Sequence, residues 1–190
     1  LGSLLGYTYT SEAMANDLIR AATMRLMNEV TSTLQPLPGI DISDYKQTLI
    51  ERFSNPKVGD QLSRLCLNSS DKLPKFLLGS LQDRLKQDSS IEYLSFTIAA
   101  WFRYLNGKNE QGQPLPIDDP MADILTEKAL AGKSDPTKLL NMTMLFGDLP
   151  KSVRFTASVT DHLQQIYELG TQEVLTKLLS SAPENEAFDH

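Results

Sequence analysis

Residues 91–105 read Ile-Glu-Tyr-Leu-Ser-Phe-Thr-Ile-Ala-Ala-Trp-Phe-Arg-Tyr-Leu, the most apolar stretch of this chain. Ile91, Leu94, Ile98, Trp101, Phe102 and Leu105 recur at three- and four-residue steps, and apolar residues reach round more than one side of the pattern. A helix of that kind is stable only when neighbours cover it, so the spacing predicts a central core helix. Ser89 or Ser90 opens it, and it ends near Gly107.

The same period dominates outward in both directions. Leu18, Ala21, Ala22, Met24, Leu26, Met27, Val30 and Leu34 predict a long first helix behind Asn16 or Asp17, stopped by Pro36, Pro38 and Gly39. Asp41 or Ser43 caps a second, with Tyr45, Leu49, Ile50 and Phe53 on one face and Asn55-Pro56 at its end. A short helix follows over 60–67. The polar run Asn68-Ser69-Ser70-Asp71 has the composition of a turn, and Pro74 suits the first turn of a helix reaching about Gln87, which puts Lys72 at a helix entrance. Residues 108–119 form the longest loop, and shorter helices fit 120–130, 136–145, 153–168 and 172–179. Strand alternation is weak and no repeat of 30 to 50 residues occurs. The expected fold is all-α, one multi-helix domain over 1–182 with a flexible acidic tail over 183–190.

With 190 residues the chain can bury one core without staples. A net charge of −6 makes its mean field repulsive to nucleic acid and anionic lipid, so neither is an expected partner. Cys66 is the only cysteine, which excludes an internal disulfide, suits a cytoplasmic protein and reads as a small buried hydrophobe. No apolar run approaches the roughly 20 residues of a membrane span. The chain opens on Leu1 rather than Met, in an apolar phrase with no cap ahead of it, and reads as a piece of something longer.

Several chemistries lack their residues. A dinucleotide phosphate turn needs two glycines one residue apart, and none of the ten glycines is so paired. No Walker loop or GxSxG elbow occurs. His162 and His190 are the only histidines, so a multi-histidine metal site is excluded; His162, next to Asp161, reads as an ordinary surface or boundary residue.

A set of phrases carries a resemblance. They are residues 1–7 (Leu-Gly-Ser-Leu-Leu-Gly-Tyr), 11–14 (Ser-Glu-Ala-Met), 41–56, 60–78, 99–105 and Asp119-Pro120, of which Phe53-Ser54-Asn55-Pro56 and Lys72-Leu73-Pro74 are the sharpest. As a set they resemble the C-terminal domain of the long-chain polyol dehydrogenases, the mannitol dehydrogenase and fructuronate reductase family. The resemblance implies a helical substrate-side domain, like that of 6-phosphogluconate dehydrogenase-type enzymes. It would pack against an N-terminal Rossmann domain, absent here, that binds NAD or NADP, with a sugar alcohol or uronate in the cleft between them and no metal. The family's catalytic lysine, asparagine and histidine would lie just upstream of Leu1; that spacing does not occur within the chain, so the chain alone should be inactive.

Two of the family's substrate-binding positions match Arg64 and Lys72, and Asn68 is a weaker third. A guanidinium and an ammonium either side of a polar turn can orient hydroxyls or grip a carboxylate. The plain alternative is a solvated face, since Asp60 precedes Arg64 by four residues and Asp71 precedes Lys72. Some relatives carry glutamine and arginine where this chain has Asp71, Lys75 and Phe76, which shifts the local charge. The overall phrasing leans towards mannonate and fructuronate as the substrate pair, with mannitol and fructose next. A free-standing helical interaction module, without catalysis, is the competing expectation.

Overall fold

The computed structural model describes residues 1–35 and 38–181. The expected tail over 183–190 and the stop at Pro36 lie outside them. Within them the fold is all-α, as the spacing predicts. The helices are α1 (Thr10–Ala15), α2 (Asp17–Thr31), α3 (Ile42–Ser54), α4 (Leu62–Cys66), α5 (Ser69–Leu73), α6 (Gly79–Lys86), α7 (Glu92–Tyr104), α8 (Ala122–Gly132), α9 (Thr137–Leu140), α10 (Thr143–Phe146), α11 (Val153–Leu169) and α12 (Thr171–Ser181). Extended pairing among the described residues is limited to two single bridges, Tyr9 with Gln61 and Lys108 with Pro114.

The core is built around α7, with α11 as its most extensive partner and α2 beside it. Leu94, Ile98, Ala99 and Phe102 are buried, and Phe102 stacks edge-on against Phe146 at 5.8 Å. A satellite cluster of Ala13, Met14, Ile19 and Ile50 joins α1, α2 and α3. Gly2 belongs beneath it: a Cβ there would stand 2.6 Å from a Leu62 methyl and 3.0 Å from the Cβ of Ala13.

Helix starts include two contrasting kinds. Asn16 accepts from the amides of Leu18 and Ile19, Asp41 from those of Ser43 and Asp44, and Ser152 from that of Phe155, all ordinary N-caps. Others are capped from a distance. The start of α7 is held by Glu29 of α2, whose carboxylate accepts from the amides of Tyr93 (3.2 Å) and Leu94 (2.9 Å) and from the Ser90 hydroxyl. Ser90 assists by accepting from the Glu92 amide at 3.4 Å. Arg84 of α6 binds the Glu29 carbonyl, the Ser32 hydroxyl and the Ser90 carbonyl, tying α2, α6 and the start of α7 together. The Glu110 carboxylate likewise takes the first amide of α12, that of Thr171.

Three local expectations are corrected. The helix around Pro74 begins at Ser69, inside the run expected to be a turn, and runs through to Lys86. Proline removes one amide bond and crowds the preceding turn, and residues Pro74–Leu78 form a π turn that absorbs this without breaking the run. Lys72 is the fourth residue of that run and still lies in its first turn, its amide donating to the Asn68 carbonyl. Cys66 is half-buried, because α4 is a five-residue helix at the edge of the core. His162 is buried against Phe96, since the apolar face of α11 turns inward at Val159, Leu163 and Ile166; its Nε2 lies 3.2 Å from a Glu92 oxygen.

Candidate functional site

The segment from Asp60 to Lys72 is pinned at its start by backbone. The Asp60 carbonyl accepts from the Thr10 amide and the Leu62 amide donates to Thr8, both at 2.9 Å, which seats the entry to α4 against the chain ahead of α1. Asp60 is thereby buried, while Arg64, one helical turn on, keeps an exposed side chain. The guanidinium lies side-on to the carboxylate: Nε donates to Oδ1 at 2.6 Å and Nη2 to Oδ2 at 2.5 Å. The Arg64 hydrogen bond holds the Asp60 carboxyl below the usual carboxylate range, with Arg52 pulling the same way from farther off, and Asp60 in turn raises Arg64.

Asn68 turns the chain between α4 and α5 in a left-handed conformation (φ 52°), one that asparagine tolerates better than most residues. Its amide donates to the Asp118 carbonyl, and its own carbonyl accepts from the amides of Asp71 and Lys72. The Lys72 ammonium reaches back to the Leu65 carbonyl at 3.1 Å, one of those left open at the end of α4. The fold thus brings Lys72 to the residue that follows Arg64. The Asp60–Arg64 spacing does give an ion pair, but Asp60 stands ahead of α4 and is buried, so its end of the pair is not the solvated face of the plain alternative.

Sequence reasoning assigned no role to Asp119, and it organises this corner. Its carboxylate accepts from the Ser70 amide (2.8 Å), the Ser70 hydroxyl (2.6 Å), the Ser69 hydroxyl (2.9 Å) and the Met121 amide (2.9 Å). Burial alone would raise its pKa, but these bonds outweigh that and hold it below the usual value. Trp101 of the core helix donates to the same Ser69 hydroxyl, so the start of the Lys72 helix is fixed to both α7 and the long loop. The only sequence signal for this was the Asp-Pro pair at 119–120.

Two open hollows flank Arg64. One, of about 390 Å³, is lined by Arg52, Val58, Gly59, Asp60, Gln61 and Arg64. The other, of about 270 Å³, runs from Ser63 and Arg64 past Cys66 to Tyr104 and Asp118. Tyr104 donates to the Pro116 carbonyl, and its phenol is raised far above its ordinary range, by burial first and then by Cys66, Asp119 and Asp118. Neither hollow is lined by Lys72, Asn68 or a histidine. Arg64 has N–H groups left over from Asp60, so the arrangement can hold hydroxyls.

A family model described as the mannitol dehydrogenase C-terminal domain matches residues 1–167. The chain belongs to that family. It is 40% identical over 181 residues to a mannitol 2-dehydrogenase of Aspergillus fumigatus, covering 94% of this chain and 36% of that protein. It is 38% identical over 182 residues to a mannitol dehydrogenase of Saccharomyces cerevisiae, with the same coverage. The structure of Pseudomonas fluorescens mannitol 2-dehydrogenase in ternary complex with NAD and D-mannitol superposes with a TM-score of 0.89 at 34% identity, over 96% of this chain and 37% of that one. A substrate-free D-sorbitol dehydrogenase (TM-score 0.84, 21% identity) shares the fold. The chain spans little more than a third of the length of these relatives.

Proposed function

We propose that this mannitol dehydrogenase-family domain forms the substrate-side wall of an NAD(P)-dependent oxidoreductase that interconverts a sugar alcohol and its 2-ketose. The observation that carries the reading is its likeness, over nearly its whole length, to mannitol 2-dehydrogenases, one of them in complex with NAD and D-mannitol. Mannitol and fructose are accordingly the first pair to try, with mannonate and fructuronate second. Arg64, Lys72 and, more weakly, Asn68 orient the substrate hydroxyls, so that the reacting carbon meets groups supplied by the rest of the enzyme.

The sequence carries no paired-glycine pyrophosphate turn of the Rossmann kind. Glycines with positive φ stand singly, at positions such as Gly39, Gly59, Gly107 and Gly147, and form no paired cradle for a pyrophosphate. The cofactor and the general base belong to an N-terminal Rossmann domain in this reading, and the isolated chain has no turnover. That domain would also cover apolar side chains now facing solvent. Phe76 and Met144, on neighbouring segments, are both more than two-thirds exposed.

The test is a coupled assay on the full-length parent, following NAD and NADP reduction with mannitol, arabinitol and mannonate and reoxidation with fructose and fructuronate. Turnover on at least one pair is expected, and none from the isolated chain. A parent with no turnover on any of them would sink the proposal. So would a parent gene with no dinucleotide-binding half.

A further inference from the structure

Resting on the oxidoreductase reading, we propose that Asp60 is a positioning residue that sets the charge preference of the site. By holding the inner edge of the Arg64 guanidinium it favours a neutral polyol or ketose over the corresponding sugar acid. The two members of the ion pair differ in freedom. The side chain of Asp60 is 5% exposed and its backbone is tied to Thr10, whereas that of Arg64 is 60% exposed. The acid is the fixed member, and the arginine is the end a ligand meets.

Arginine presents five N–H groups. Asp60 takes the Nε proton and one Nη2 proton, leaving the outer edge of the fork. That edge can still donate to hydroxyls, which carry no charge. A sugar carboxylate would need a cation whose charge is not already compensated, and it would be the second carboxylate on one guanidinium. In the hollow on the other side of Arg64 it would meet Asp118. Specificity would then come as much from repelling the acid as from holding the alcohol. Arg52 lines the same hollow as Asp60. Removing the charge of Asp60 therefore leaves two guanidiniums on one hollow with no acid between them.

The experiment compares kcat/KM for D-mannitol and D-mannonate oxidation in the full-length parent, in its Asp60→Asn variant and in Asp60→Glu, which retains the charge. Asp60→Asn is expected to move the mannitol-to-mannonate ratio about tenfold towards the acid, mainly through a lower KM for mannonate, while Asp60→Glu stays within about threefold of the unmodified ratio. Turnover of mannitol with an Asp60→Asn ratio unmoved, or with both substrates lost in parallel, would overturn this inference alone. Absence of turnover by the unmodified parent on mannitol, arabinitol and mannonate alike would overturn the oxidoreductase reading and this inference with it, whereas turnover of arabinitol but of neither mannitol nor mannonate would overturn this inference alone. Mannonate inhibition of the unmodified parent tests the idea without any variant: a Ki below the KM for mannitol overturns it, and one above that KM supports it.

Discussion

Replacing Glu29 probes the distant cap on which the core helix begins. In Glu29→Ala the buried amides of Tyr93 and Leu94 lose the oxygens that now accept from them at 3.2 and 2.9 Å, and Ser90 loses a third bond. Losing a cap and stranding two amides costs about 2–4 kcal/mol. For a chain of this size that lowers Tm by roughly 5–15 °C. Glu29→Gln keeps one accepting oxygen but turns an NH2 group towards the donors, and about 1–2 kcal/mol is expected. A second signature lies in pH. Burial pushes the Glu29 carboxyl above its ordinary 4.5, and the bonds from Leu94 and Tyr93, with Arg84 nearby, offset only part of that. The folded state therefore binds this proton more tightly than the unfolded one. The stability it adds is fully present below 4.5, declines as pH rises through the folded value and is flat above it. Urea unfolding at pH steps from 4 to 8 should show the gap between the native chain and Glu29→Gln narrowing across that window. A gap that widens with pH, or a Glu29→Ala cost under about 0.5 kcal/mol, would refute the reasoning.

Asp119→Ala should cost about 1–2 kcal/mol, because the carboxylate accepts four bonds but remains partly in water. The Asp119 carboxyl is held below 3.8, so its contribution is present above that pH and fades as pH falls through the folded value; thermal melts between pH 2 and 5 should show the native and variant curves converging on the acid side. In the full-length parent, Lys72→Ala should raise KM for the polyol and lower kcat/KM by about tenfold while NAD affinity stays within about twofold. An equal loss of NAD binding, or unchanged kinetics, would remove Lys72 from the site.

Long amphipathic elements were legible because their signal is local. The α7 stretch, the Asn16 cap and the 41–54 helix can each be read from a dozen adjacent residues, and the structure agrees within a few positions. What escaped depends on residues far apart in the chain. Glu29 to Leu94 spans 65 positions and Asp119 to Ser70 spans 49, and no window over the sequence joins them. Helix α1 has six residues, too few to hold itself, and stands by packing on α2 and α3. His162 looked peripheral beside Asp161, yet the phase of α11 turns it inward. For the candidate site, the Asp60 to Arg64 spacing foretold the ion pair. The Lys72 contact with Leu65 did not follow from spacing, because it depends on how sharply Asn68 folds α5 back on α4.

The wide turn at Pro74–Leu78 is also a phase shift. A π turn holds one residue more than an α turn, so the rows of side chains before and after it are offset by about 100°. Lys72 is upstream of that offset, and Leu81 and Arg84, which bind the helix to the core and to α2, are downstream of it. The surface to which Lys72 is presented is thus decided by residue number as much as by residue type. Shortening this turn by one residue would leave every side chain chemically intact and still put the anchors of Ser69–Leu73 on Asp119 and Trp101 about a quarter-turn out of phase with those of Leu81 and Arg84.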